Sequence, residues 1–333
     1  MPHDVAKIVI VGAGPAGLKL SRELLRRNIP HRVLEKAEGP ASSFKAMPSF
    51  LKILTPWAMN HLDSEDRELF PSKRQLSAQE IHGYFAEYAR KHHLSVEYNK
   101  SVLTIDSKSN ELILQTDNES IKARAVVFAT GYWNNPAYSL SKDIISQASI
   151  PVFHFVDNPT DKFDFTNKKV LIVGSRLSAG QIIEEIELKT KGKVSFIISH
   201  RSPIRFSPAW IHKLPVWFSI GIEALVARLW PRLNFPVLMD ESVNKLIKHK
   251  PIVCRGIIER ISSDEVFFKN GSPIKCDVLI FTTGFSFSDM APLPHPNVYY
   301  LGSPRNKDFR SRFLRGIRSD AEELAAQLVE KYP

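Results

Sequence analysis

The hydrophobic and polar positions near the N-terminus predict a strand, a turn and a helix in close succession. Residues 5–11 are mainly β-branched or otherwise apolar, which is typical of a strand buried on both faces of a parallel sheet. Residues 15–27 place apolar side chains four positions apart with charged residues between them, and therefore predict an amphipathic helix. Residues 31–35 predict a second strand, which completes a right-handed βαβ unit.

The same order of elements returns in the second half of the chain. Residues 170–173 predict a strand, residues 177–188 a helix and residues 194–198 another strand. Residues 79–92 predict a helix between the two units. Further short strands are predicted at residues 96–98, 102–105, 111–115, 121–128, 256–261, 266–268, 278–281 and 298–301. A helix is predicted from about residue 319 to residue 331, so the whole pattern favours an α/β fold with two Rossmann-like dinucleotide-binding units.

A glycine turn joins the first predicted strand to the first predicted helix. Its residues are Gly12-Ala13-Gly14-Pro15-Ala16-Gly17. In such turns the first glycine permits the tight bend, the second lets a pyrophosphate approach the backbone, and the third lets helix and strand pack closely. Glu35 ends the second predicted strand, 18 residues after Gly17, where an acid accepts the hydroxyls of a ribose. Because this acid disfavours a 2′-phosphate, the turn predicts a site for FAD or NAD.

A second turn of the same form follows the strand at residues 170–173. It reads Gly174-Ser175-Arg176-Leu177-Ser178-Ala179, with an arginine in place of the central glycine. Two outcomes are open: the guanidinium binds the phosphates of a nucleotide itself, or it blocks the pocket. The next strand ends in His200 and Arg201 instead of an acid, which favours an NADP 2′-phosphate held mainly by Arg201. A solvated basic strand end is the alternative.

Two segments interrupt the regular pattern. Residues 134–166 contain several prolines and form the best candidate boundary between domains. Residues 201–250 are an insertion rich in Trp, Phe and Leu. Its apolar side chains, among them Trp210, Trp217 and Trp230, suit a substrate lid, ordinary core, a homodimer face or contact with a membrane surface.

Composition limits the classes of function. The length of 333 residues with 43% apolar and 24% charged residues predicts a globular protein of two domains. The net charge of +10 suits pyrophosphate ligands, and nucleic-acid binding is not predicted, because the basic cluster of residues 305–318 lacks a recognition motif. With only Cys254 and Cys276, neither a metal site nor a Cys-x-x-Cys redox pair is expected. This cysteine usage and the lack of a signal-peptide core favour a cytoplasmic protein.

Several motifs in a fixed order extend this picture over nearly the whole chain. They are the first glycine turn with its acid, Leu54-Thr55-Pro56, Phe70-Pro71-Ser72, Ala129-Thr130-Gly131-Tyr132, His154, the phrase over residues 201–208, Thr283-Gly284-Phe285 and Tyr299-Tyr300-Leu301-Gly302. This ordered set resembles the class B flavin-containing monooxygenase superfamily, in particular its small single-chain bacterial members. The sequence departs from that family around His154, where Ile150 and Phe155 replace a glycine and a hydroxyl residue. His154 is therefore expected either to pack in a linker or to contact a cofactor.

The resemblance implies that the first unit binds FAD and the second NADPH, with the nicotinamide domain inserted in the flavin domain. The implied FAD-binding domain covers residues 1–140 and 287–333, and the NAD(P)-binding domain covers residues 141–286. The expected FAD contacts are Gly12, Ala13, Gly14, Pro15, Ala16, Gly17, Glu35, Lys36, Thr55, Val102, Ala129, Thr130, Gly131 and Gly302. The expected NADP contacts are Gly174, Ser175, Arg176, Leu177, Ser178, Ala179, His200, Arg201, Thr283 and Gly284.

The expected activity is that of a flavin monooxygenase. NADPH reduces FAD, O2 adds to form a C4a-(hydro)peroxyflavin, and a small organic substrate takes one oxygen atom. Since the flavin carries this chemistry, no side chain is assigned as a proton-transfer catalyst. Two alternatives stay open: an NAD(P)H-dependent reductase with a disulfide, quinone or ferredoxin acceptor, and a non-catalytic flavoprotein whose nicotinamide site is closed by Arg176.

Overall fold

Two large β-sheets, the first mixed and the second parallel, organise the chain, and each carries one of the glycine turns. The computed structural model describes residues 6–108, 111–201, 206, 214–230, 239, 243–246, 252–286, 295–303 and 307–333. Trp210, Arg305 and the expected domain boundary at residue 287 lie outside these residues. The strands are β1 (Ala6–Val11), β2 (His31–Leu34), β3 (Val102–Lys108), β4 (Glu111–Thr116), β5 (Ser120–Phe128), β6 (Val152–His154), β7 (Lys168–Val173), β8 (Val194–Ser199), β9 (Val253–Arg255), β10 (Ile258–Ser262), β11 (Glu265–Phe268), β12 (Ile274–Lys275), β13 (Val278–Phe281) and β14 (Val298–Tyr300).

Helices cover the sheets. They are α1 (Pro15–Arg26), α2 (Ser42–Lys45), α3 (Ala78–Lys91), α4 (Lys142–Ile145), α5 (Pro159–Lys162), α6 (Leu177–Thr190), α7 (Val216–Leu229) and α8 (Leu314–Lys331), with 3-10 helices at Trp57–Met59, Ser64–Leu69 and Phe155–Asp157. A core that includes Ile10, Leu20, Phe85 and Leu328 packs α1, α3 and α8 against the first sheet. Ile172, Ile183 and Ile280 belong to a second core, between α6 and the second sheet.

The first sheet has the strand order β2-β1-β5-β4-β3, and β14 also pairs with β5. Strands β2, β1, β5 and β14 are parallel, whereas β3, β4 and the start of β5 form antiparallel pairs. Exposure alternates along residues 120–125, and residues 125–128 are all buried. This change is expected. In an antiparallel strand with one solvent-exposed face, buried and exposed residues alternate, whereas in a strand buried on both faces all residues are buried.

The second sheet is parallel throughout, in the order β6-β13-β7-β8-β9. Its strands lie between β5 and β14 in the sequence, so this Rossmann-like unit is inserted in the first. The two crossings between the sheets run side by side: Ala137 N donates to Gly284 O and Ser286 N donates to Asn135 O, both at 2.9 Å. The predicted α/β fold with two dinucleotide-binding units, one within the other, is confirmed.

A buried lysine fixes α1 to its neighbours. Lys19 is fully buried, and its Nζ lies 2.7 Å from Glu23 Oε1, 2.7 Å from Asp63 Oδ1 and 3.0 Å from Glu322 Oε1. Ligand atoms of Asp63, Asp66 and His92 lie within 4.8 Å of one another, a spacing that could suit a metal ion. However, Lys19 already neutralises Asp63, and Lys91 Nζ lies 2.9 Å from Asp66 Oδ1. We therefore interpret the group as an ion-pair network that anchors α1.

Two expectations about local structure are wrong. Residues 96–98 are not a strand; only a single bridge joins Glu97 to Leu34. Helix α8 begins at Leu314, five residues before the expected residue 319. Its first turn contains Gly316, where an added Cβ would lie 2.1 Å from the Arg310 carbonyl oxygen. The glycine that permits this close packing also weakens the helical signal in the sequence.

Candidate active site

The first glycine turn is shaped by contacts with the end of β5. Gly12 has a φ of +105°, and an added Cβ would lie 2.7 Å from the Ala129 carbonyl oxygen. An added Cβ on Gly17 would lie 1.9 Å from the Gly12 carbonyl oxygen, so this glycine allows α1 to pack on the turn. Gly14 differs from both: its φ is −75°, and nothing lies within 4 Å of an added Cβ. Gly14 therefore faces open space rather than protein.

This open space lies at the N-terminus of α1. The helix begins at Pro15, and its N-cap residue is Gly14, so no N-cap side chain binds the amides of the first turn. Backbone N–H groups in the first turn of a helix lack helical partners, and the helix dipole favours an anion there. The turn thus offers both room and donors for a pyrophosphate.

Glu35 connects the end of β2 to the same turn. Its Oε2 accepts a hydrogen bond from Ala13 N at 2.7 Å, and its Oε1 accepts one from Ala37 N at 3.0 Å. The side chain is buried yet lines the cavity in front of the turn. A carboxylate fixed in this way has acceptor capacity left for ribose hydroxyls.

A single cavity of about 1210 Å³ extends from this turn across the molecule. Ala13 and Gly17 are buried behind its surface. Most of the expected FAD contacts are brought together on its wall: Gly12, Gly14, Pro15, Ala16, Glu35, Lys36, Thr55, Val102, Ala129, Thr130, Gly131 and Gly302.

The second glycine turn repeats the geometry of the first. Gly174 has a φ of +131°, and an added Cβ would lie 2.2 Å from Thr282 Oγ1 at the end of β13. Gly174 N donates to Ser199 O at 2.9 Å, as Gly12 N donates to Leu34 O at 2.7 Å. Each glycine amide thus binds the carbonyl that ends the next parallel strand.

Helix α6 brings its first turns to the same cavity. Leu177, Ser178 and Gln181 line it, and Gln181 Nε2 donates to Lys52 O at 3.0 Å. Arg176 is the N-cap residue of α6, with a φ of −115° and an exposed side chain. The arginine therefore fits the turn without backbone strain, and its side chain lies outside the cavity wall.

The other expected NADP contacts do not line the cavity. His200 N donates to Arg255 O at 3.1 Å beyond the end of β8, and Arg201 is exposed next to it. Thr283 Oγ1 donates to Ala137 O, which places Thr283 at the crossing between the sheets. The remaining members are Ser175, which is half-buried, Ala179, which is buried, and Gly284, which has a φ of +79°.

A model of the pyridine nucleotide-disulphide oxidoreductase family matches residues 9–294. The chain belongs to this family. Its membership confirms the expectation of an oxidoreductase that uses FAD and NADPH, and the fold agrees with the resemblance to flavin monooxygenases.

Proteins of similar length that resemble this chain include an oxidoreductase, a monooxygenase and a disulfide reductase. The uncharacterized oxidoreductase CzcO of Bacillus subtilis is 24% identical, over 96% of this chain and 98% of the relative. The structure of a flavin-containing monooxygenase from Stenotrophomonas maltophilia superposes with a TM-score of 0.78 at 20% identity, covering 98% and 99% of the two chains. The bacillithiol disulfide reductase Bdr from Staphylococcus aureus gives a TM-score of 0.70 at 17% identity, covering 98% and 99%. These structural likenesses establish the fold.

The cysteines of this oxidoreductase lie away from the site. Cys254 is exposed and Cys276 is buried; both are free, and neither lines the cavity. Burial raises the pKa of the Cys276 thiol to about 12, which disfavours the reactive thiolate.

His154 lies in the interior of the second unit. It is fully buried, and its ring centroid lies 5.0 Å from that of Phe155, 5.4 Å from that of Tyr138 and 5.7 Å from that of Phe285. Burial lowers the pKa of its imidazole from 6.5 to about 4. Since it does not line the cavity, the structure favours the packed linker role over a cofactor contact.

The cavity wall also includes residues that were not identified from the sequence. Among them are Arg312 and Phe313 just before α8, Arg315 in its first turn, and one face of α7. Burial lowers the pKa of the Arg312 guanidinium, and the nearby Arg176 guanidinium lowers it further. The basic cluster at residues 305–318 is the sequence signal for this part of the wall, because Arg312 and Arg315 line the cavity.

Within the part of the chain that the structure describes, none of the helices has the length and hydropathy that a membrane span needs.

Proposed function

We propose that this protein is an FAD-dependent, NADPH-oxidising monooxygenase that transfers one oxygen atom from O2 to a small organic substrate. One observation carries the proposal: the N-terminal turns of α1 and α6 line the same cavity. A helix N-terminus is a natural site for a nucleotide pyrophosphate. Two such sites on one cavity suit the passage of a hydride between two bound nucleotides.

The first unit has the features that FAD requires. Gly14 leaves open space for the pyrophosphate, and Glu35 presents a fixed carboxylate to the ribose. Gly131 follows β5 and Gly302 follows β14, which are separated from β2 by β1, and both residues line the cavity. The flavin ring would lie there. When bound, FAD accepts a hydride from NADPH and activates O2. The polypeptide binds and orients it and excludes water from it.

The second unit would bind NADPH. Gly174 and the first turn of α6 would hold the pyrophosphate, with Arg176 as an additional cation from outside the cavity wall. Arg201, with His200 beside it, would bind the 2′-phosphate, because a guanidinium pairs with a phosphate through parallel hydrogen bonds. We place the boundaries of this NAD(P)-binding domain at residues 141 and 286, and the FAD-binding domain at residues 1–140 and 287–333. The pairing of β14 with β5 supports this division.

Isotope labelling tests the oxygenase proposal. Methyl phenyl sulfide is a suitable probe, because its sulfur is a soft nucleophile. With ¹⁸O₂ and NADPH, the holoprotein should yield a sulfoxide that contains one ¹⁸O atom. Oxidation of NADPH without label in the sulfoxide would contradict oxygen transfer.

A reductase is the second candidate function. The full-length structural match to the bacillithiol disulfide reductase favours it. Because both cysteines lie outside the cavity, the electron acceptor would be a separate disulfide, quinone or ferredoxin rather than a thiol pair of this chain. Rapid NADPH oxidation that depends on one of these acceptors, without oxygenation of the sulfide, would favour this function.

A further inference from the structure

We propose that one face of α7 is the substrate-facing wall of the flavin cavity, and that Ile222 and Val226 on it select uncharged, apolar substrates by size. The inference rests on the proposed function, because it names the substrate class of that same site. Helix α7 lies in the insertion whose use the sequence leaves open.

Exposure along α7 defines this face. Val216, Ser219, Glu223 and Val226 are half-buried, and their spacing of three, four and three residues forms one stripe on an α-helix. The opposite side is open to solvent: Trp217, Leu225 and Leu229 are 73%, 56% and 56% exposed. Because α7 is apolar on both sides, its orientation is evident only from the structure.

The half-buried stripe is the part of α7 that lines the cavity. Its four residues lie on the cavity wall together with Ile222, which is 45% exposed and stands at the edge of the stripe. The start of α8 and Gly302 line the same cavity. A molecule between α7 and the flavin ring would therefore contact Ile222 and Val226.

An ion pair holds this wall in place and removes its charge. The Glu223 carboxylate accepts hydrogen bonds from Nε and Nη2 of Arg315 in the first turn of α8, with Nε at 2.5 Å from Oε2. Both side chains are largely buried, at 16% and 14% exposure. A bidentate pair of this kind fixes geometry and leaves neither charge free for a ligand. Apart from Ser219, the rest of the α7 stripe is apolar, so α7 itself favours an uncharged ligand. Arg312, just before α8, also lines the cavity, and a carboxylate probe measures the influence of its guanidinium.

Binding to the oxidised holoprotein tests the inference without turnover. Two probes of similar shape are titrated while the visible absorbance of bound FAD is followed: methyl phenyl sulfide and its 4-carboxylate derivative. The neutral sulfide is expected to perturb the flavin spectrum and to bind about tenfold or more tightly than the carboxylate, a difference of about 1.4 kcal/mol. Equal binding of both probes, or no binding of the neutral sulfide, would overturn the substrate class.

Substitutions at neighbouring positions, one exposed to solvent and one on the cavity wall, test the residue assignment. Val226→Trp should weaken binding of methyl phenyl sulfide by about tenfold or more, with FAD content unchanged, because the indole fills the cavity. Leu225→Trp adds the same side chain to the exposed face and should leave binding within about twofold. Equal effects of the two variants would refute the assignment.

A smaller side chain at position 226 tests the same assignment without the risk that a large side chain disturbs the packing of α7. Val226→Ala should shift the preference from methyl phenyl sulfide towards the larger methyl naphthyl sulfide, by about threefold or more. An unchanged preference would also refute the assignment. Since these titrations need neither NADPH nor O2, their failure is distinguishable from failure of the proposed oxygenase activity.

Discussion

At the scale of single residues, the two glycine turns contain positions of opposite character. Gly12, Gly17 and Gly174 are required by the protein itself, because an added Cβ at each would meet a protein atom at 2.7 Å or less. An added Cβ on Gly14 would meet no protein atom, so the fold itself does not require a glycine at this position. The proposed pyrophosphate of FAD does require one. This contrast separates folding from ligand binding at neighbouring positions.

Gly14→Val should therefore abolish FAD retention while the protein still folds. The added side chain enters space that the pyrophosphate needs, and the φ of −75° suits any residue. The absorbance of the purified variant near the flavin band should fall about tenfold or more, with an unchanged circular dichroism spectrum. Gly83→Val is the matched control, because Gly83 also has no neighbour within 4 Å of an added Cβ but lies in α3, outside the cavity wall. A yellow Gly14→Val variant would refute the assignment.

Arg201→Ala should weaken NADPH binding far more than NADH binding. The lost contact is a charged hydrogen bond to the 2′-phosphate, which is worth about 1.5–3 kcal/mol. Dissociation constants of both nucleotides, measured by calorimetry, give the difference. Lys193→Ala is the control, because Lys193 is an exposed cation just before the opposite end of β8. Equal losses for NADPH and NADH would show that Arg201 does not bind the 2′-phosphate.

At the scale of elements, strands that are buried on both faces were the easiest to predict. In β7 and β13, residues 170–173 and 278–281 are all buried, and the sequence marks them as uninterrupted apolar runs. Strand β6 was missed, because it has only three residues, Val152–His154, and directly follows Pro151. The inner face of α7 could not be predicted either, since the ion pair that fixes it joins Glu223 to Arg315, 92 residues away.

The burial of His154 at the end of β6 predicts a pH dependence of stability. Its pKa falls from 6.5 to about 4 in the folded protein, so above pH 6.5 the imidazole is neutral in both states. Between pH 6.5 and about 4 the unfolded chain takes up a proton that the folded chain does not, and stability falls by roughly 3 kcal/mol across this window.

The variant His154→Gln isolates this contribution from those of other groups. Its free energy of unfolding, from urea titrations at pH 7.5 and at pH 5, should depend less on pH than that of the unmodified protein. Absolute stability is not the readout, because the amide changes packing as well. Identical pH dependence in both proteins would contradict the burial of a neutral His154.

At the scale of the whole molecule, sequence and structure agree on two nucleotide-binding units and on the return of the chain to the first sheet. The repeated strand, glycine turn and helix identified both units, and the first turn with Glu35 located the side of the cavity that we propose for the flavin. The proposed nicotinamide side was harder to predict, because Arg176 breaks the glycine pattern and most of its expected contacts lie off the cavity wall. How the units meet depends on contacts such as Gln181 with Lys52, which leave no local pattern in the sequence.

Direct hydride transfer within the shared cavity is the central requirement of the proposed function. Anaerobic stopped-flow mixing of the FAD-loaded protein with NADPH, and with NADPH carrying deuterium at the transferred position of the nicotinamide, tests it most directly. The flavin absorbance should bleach with NADPH, and more slowly with the deuterated nucleotide. A flavin that stays oxidised in excess NADPH would contradict both the monooxygenase and the reductase function.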